Sequence, residues 1–84
     1  MYSKISITRL KSLLSEIRRD VEERGGTGCD VTDVWQSKYK HIFVRVSYKD
    51  SNGETAHEMY ISWWENGASR IVRGDASTVC FISE

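Results

Sequence analysis

Two Asn-Gly pairs, Asn52-Gly53 and Asn66-Gly67, punctuate the second half of this chain. Both residue types tolerate positive φ, which a tight hairpin needs. The runs around them are rich in β-branched and aromatic residues: His41 to Tyr48, Thr55 to Glu65, and Ala68 to Gly74. Asp75-Ala76 offers a further turn and Ser77 to Ser83 a closing strand. Residues 41–84 therefore read as an antiparallel β-meander.

The first half reads differently. Leu10, Leu13, Leu14, Ile17 and Val21 recur at steps of three and four, which predicts an amphipathic helix over about residues 7–24. Ser6 is the expected N-cap, with Ile5 and Leu10 as a hydrophobic staple. Gly25-Gly26 supplies a left-handed stop. Arg18 with Glu22, Arg19 with Glu23 and Asp20 with Arg24 are opposite charges four apart. Arg9 and Lys11 near the start, and Glu22 and Glu23 near the end, oppose the helix dipole. A solvated face accounts for that arrangement, and an acidic partner would also meet it well. Residues 27–40 read as a loop, a short strand or an extended arm. The expected fold is α+β: one N-terminal amphipathic helix packed on one face of a three- to four-stranded antiparallel meander. With 84 residues the chain is one domain.

Taking Asn52-Gly53 as a two-residue loop places Tyr48 opposite His57, Val46 opposite Met59, Val44 opposite Ile61, and Ile42 opposite Trp63. Nearly all are apolar, so this side is the expected core face. The second turn puts Ile61 opposite Val72 and Trp63 opposite Arg70. The other side then holds His41, Phe43, Arg45, Ser47, Lys49, Glu58, Tyr60, Ser62, Trp64, Ser69, Ile71 and Arg73. One helix cannot cover both faces of a sheet. This second side is therefore the expected partner-binding surface, with Phe43, Arg45, Tyr60, Trp64, Ile71 and Arg73 as its anchors, since exposed aromatics and arginines dominate binding hot spots. The alternative is that Trp35 and the 27–40 segment, or a second copy, cover it.

Composition narrows the function classes. Twelve Lys plus Arg against twelve Asp plus Glu gives zero net charge, which argues against a DNA mimic and against a general nucleic-acid coat protein. No apolar run reaches membrane-spanning length and the start lacks a secretory pattern, so the expectation is a cytoplasmic protein with no membrane partner. Cys29 and Cys80 are then expected as reduced thiols, or as a disulfide if the protein is exported by another route. With His41 and His57 the count suits a Cys2His2 site, but no C-x2–4-C or H-x3–5-H spacing exists, so no metal or other cofactor is expected.

Three functions fit. The first is a non-enzymatic module, monomeric or homodimeric, docking on a larger protein or ribonucleoprotein. In size and style the chain resembles phage or mobile-element inhibitors of bacterial enzymes, including anti-CRISPR and anti-restriction proteins, though no motif is shared. The second is a metal-independent endoribonuclease. The order of helix and sheet is similar to that of the barnase and RelE types. That resemblance makes Glu58 or His41 the general base, has Arg45 and Arg73 hold the phosphate, and stacks a base on Tyr60. The third is nucleic-acid binding without catalysis. Lys38, Lys40, His41, Arg45 and Lys49 interleave with Tyr39, Phe43 and Tyr48 and no acid. Acyl-transfer chemistry has no G-x-S-x-G elbow to rest on.

Overall fold

A computed structural model describes residues 7–38 and 40–74. Helix α1 spans Ile7–Glu23, followed by strands β1 (Thr27–Gln36), β2 (Ile42–Lys49), β3 (Thr55–Glu65) and β4 (Ala68–Gly74). The four strands form one antiparallel sheet in sequence order. The fold is thus α+β with the helix at the N-terminal side, as the periodicity predicts. The expected cap at Ser6, the staple through Ile5, the turn at Asp75-Ala76, the closing strand over residues 77–83, Tyr39 and Cys80 lie outside the described residues.

The helix ends where the glycines demand it. Gly25 sits at φ +85°. Its amide donates to the Glu22 carbonyl at 3.0 Å, and the Gly26 amide reaches the Val21 carbonyl at 2.9 Å. These two bonds are the Schellman arrangement, and they satisfy carbonyls the helix leaves open. Gly26 has a second reason to be glycine. A Cβ there would lie 2.6 Å from Val21 Cγ1 and 2.7 Å from Tyr48 Cδ2.

Leu13, Ile17 and Val21 bury the helix stripe against Ile42, Val44, Val46 and Tyr48 of β2 and Tyr60 of β3. Each fully buried aliphatic side chain contributes about 1.5–3 kcal/mol. Within the 27–40 stretch, Thr27–Gln36 form a ten-residue edge strand, so the short strand or extended arm expected there is a full strand. Its pairing with β2 is irregular between Thr27 and Asp30 and between Val31 and Asp33. Such irregularities twist an edge away from unwanted partners.

The first hairpin departs from the two-residue expectation. Asp50 and Glu54 close the loop, the Asp50 amide donating to the Glu54 carbonyl at 2.9 Å. Ser51, Asn52 and Gly53 form a three-residue loop, with only Gly53 among them at positive φ, +77°. The Gly53 amide donates to the Asp50 carbonyl at 2.9 Å. The Asp50 carboxylate accepts from the amides of Asn52 and Glu54, each at 2.9 Å, and so holds the tight turn. One extra loop residue slips the register by one. Val44 now faces Tyr60, Val46 faces Glu58, Tyr48 faces Ala56, and Ile42 faces Ser62. The slip turns every β3 side chain to the opposite face from the one expected. The second hairpin is as expected: Asn66 at +53° and Gly67 at +78° form the loop, Ile61 faces Val72 and Trp63 faces Arg70. β4 therefore inherits the inversion of β3.

Candidate docking site

The corrected register divides the six expected anchors. Tyr60, Trp64, Ile71 and Arg73 lie on the helix side of the sheet, and Phe43 and Arg45 on the far side. Phe43 is not an exposed anchor at all. It is 1% exposed, and its ring stacks 5.2 Å from that of Trp35 at 6° between planes. Arg45 is exposed, with its guanidinium 5.4 Å from the Trp35 ring centre. The expected core residues Ile61, Trp63 and His57 also stand on this far side; Ile61 is buried, Trp63 half-buried and His57 exposed.

On the helix side, Tyr60 is 3% exposed and serves as the centre of a polar network. Its hydroxyl donates to Asp20 Oδ2 at 2.5 Å and accepts from Arg24 Nη2 at 2.6 Å. Asp20 and Arg24 are also an ion pair one helical turn apart, at 3.1 Å. Arg24 Nη1 reaches both Tyr48 Oη and Glu58 Oε1 at 3.4 Å, and Tyr48 donates to Glu58 at 3.1 Å. Arg73 pairs with the same Glu58 oxygen at 3.6 Å. The Tyr60 hydroxyl, by its hydrogen bond, and then Arg24 hold the Asp20 carboxyl below its ordinary value against the opposing effect of burial. Burial, and donation to Asp20, push the Tyr60 hydroxyl above the ordinary phenol value.

This network bears on the ribonuclease arrangement. Glu58, Tyr60 and Arg73 do come together, but Glu58 is engaged by two arginines and a tyrosine. Arg45 and His41 lie on the other side of the sheet; the His41 ring is 6.4 Å from Trp63. The two cations meant for one phosphate thus face opposite ways. A shallow cavity of about 270 Å³ where β4 ends is lined by Arg45, His57, Glu58, Met59 and Gly74.

Further along β3 the helix side opens. Trp64 is 59% exposed, and the Arg9 guanidinium lies 4.8 Å from its ring centre. Arg9 also donates to Ser62 Oγ at 3.4 Å. Burial pulls the Arg9 pKa below its ordinary value. Between the start of α1 and the β3–β4 hairpin runs a groove of about 320 Å³, lined by Thr8, Arg9, Ser12, Leu13, Glu16, Trp64 and Ser69. On the helical wheel Arg9 and Glu16, seven residues apart, flank the buried Leu13, while Thr8 and Ser12 lie further round and are exposed. Ile71 and Arg73 continue the same sheet surface beyond Ser69. Of the anchors expected from sequence, Trp64 is the one that lines this groove; Arg9 was legible only as part of a basic helix start that an acidic partner would meet, and Ser12 and Glu16 carried no signal beyond a polar helix flank. Among the described residues no three His, Cys, Asp or Glu side chains cluster as metal ligands, and no helix is long and apolar enough to cross a membrane. No protein-family model, no curated protein and no solved structure matches this chain.

Proposed function

We propose that the chain is a small non-enzymatic protein-binding module, an inhibitor or regulator that docks on a larger macromolecular partner. Its docking surface is the groove beside α1 with the adjoining face of β4: Trp64 and Arg9 at one end, Ile71 and Arg73 along it. The observation that carries this reading is the exposed Trp64 ring held against Arg9 in a preformed groove. Trp and Arg contribute most where a partner seals them from water. The leading specific case is an anti-defence protein, such as an inhibitor of a CRISPR effector.

The test is a panel of purified CRISPR effectors and restriction endonucleases, assayed for DNA cleavage with and without the protein. The reading expects a stoichiometric complex with at least one member and suppressed cleavage. Trp64→Ala should weaken that complex by at least about 2 kcal/mol, whereas Arg45→Ala on the far side should leave it intact. Equal affinity for the Trp64→Ala variant would refute the assigned surface.

A further inference from the structure

The side of the sheet away from α1 carries an apolar row across all four strands. Trp35 stands opposite Phe43, Phe43 opposite Ile61, and Ile61 opposite Val72. The helix packs on the other side, so it does not shield this row. Yet Phe43 is 1% exposed and Ile61 0% in the single chain. Trp35 stacks on Phe43 from β1, but Trp35, Val72, Met59 and Trp63 are themselves only half-buried. Side chains standing next to one another on a sheet face cover each other's flanks and leave their tips open. Full burial at the centre of the row therefore calls for a layer on top of it. The chain leaves β4 at a corner of this same side. Gly74 stands opposite Met59, and Met59 opposite Arg45, beside the shallow cavity that they line with His57.

We propose that residues 75–84, which lie outside the described residues, cross this side as a strap that seats Phe81 and Ile82 on Phe43 and Ile61. Val79-Cys80-Phe81-Ile82 is an unbroken apolar run that begins five residues after Gly74. Five extended residues reach about 16 Å, and the two strand spacings from β4 to β2 take about 10 Å. Asp75 brings a carboxylate to the corner where Arg45 and His57 stand. A fifth strand beside β4 would leave Phe43 uncovered, since three strand spacings, about 14 Å, would part them. A second copy is not required, because Phe43 and Ile61 are buried within one chain. The strap closes the far side to partners. The docking function lies on the helix side of the sheet and stands or falls independently.

The experiment uses the full chain, labelled with carbon-13 and nitrogen-15, and records nuclear Overhauser contacts between side chains. The expected result is cross-peaks from Phe81 and Ile82 to the Phe43 ring and the Ile61 methyls. A mixture of labelled and unlabelled chain, recorded with isotope filtering, should show none of these between copies. In the double variant Phe81→Ser, Ile82→Ser, hydroxyl-radical oxidation of Phe43 and Met59 should speed up while that of Trp64 holds. Contacts from residues 79–82 to β4 alone overturn the proposal in favour of a fifth strand. Cross-peaks between copies overturn it in favour of a second copy. Absence of any contact from residues 79–82 to Phe43 and Ile61 overturns it outright, as does unchanged oxidation of Phe43 in the double variant. The wild-type cross-peaks decide even where the double variant unfolds.

Discussion

Tyr60 joins the helix to the sheet through a single oxygen. It donates to Asp20 and accepts from Arg24, so both helix residues depend on it. Tyr60→Phe keeps the ring in the core and removes the hydroxyl, so Asp20 keeps its ion pair with Arg24, and Arg24 also keeps Tyr48 and Glu58. The expected loss is about 1–2 kcal/mol in urea unfolding. The pH dependence has a definite sign. Asp20 titrates lower in the folded chain than in the unfolded one. Its contribution is therefore complete above the unfolded carboxyl value of about 3.9 and is lost as pH falls through the folded value. Tyr60 titrates higher when folded. Its contribution is complete below the unfolded phenol value of about 10 and fades as pH rises through the folded one. Urea midpoints measured against pH should thus fall at both extremes. Asp20→Asn should flatten the acid limb, and Tyr60→Phe the alkaline limb; unchanged limbs would mean that the network does not form. In the sequence, the pairing of Asp20 with Arg24 four residues on was legible. Its extension to Tyr60 was not, because that contact spans 40 positions and depends on register.

The elements themselves were legible where periodicity was one-sided. The α1 stripe is apolar on one flank only, and Gly25-Gly26 stops it as the Schellman geometry requires. Gly26→Ala should destabilise the fold by about 1–3 kcal/mol, because the new methyl would overlap Val21 and Tyr48. Thermal unfolding of that variant checks it. β3 was illegible for the opposite reason. Met59, Ile61 and Trp63 alternate with Tyr60 and Trp64, so both faces of the strand are apolar and alternation cannot choose between them. Only the loop decides, and Asn52-Gly53 serves a three-residue loop as readily as a two-residue one. The deciding residue is Asp50, whose carboxylate binds two loop amides. Asp50→Ala should therefore cost about 1–2 kcal/mol in hairpin stability, read as faster amide exchange at Asn52 and Glu54.

At the scale of the whole molecule, the one-residue slip moves the candidate surface from an open sheet face to the flank of the helix. Phe43 goes under Trp35, Tyr60 goes under the helix, and Trp64 is left beside Arg9. The docking account requires that, among the three tryptophans, Trp64 is the exposed one; Trp35 and Trp63 are half-buried on the far side. Hydroxyl-radical footprinting of the free protein, read residue by residue by mass spectrometry, tests this without any partner. The account predicts that Trp64 oxidises fastest of the three and that Arg9→Ala speeds it further by removing the overlying guanidinium. Protection of Trp64 with rapid oxidation of Trp35 and Trp63 would contradict it, returning β3 to the opposite face and taking the groove with it.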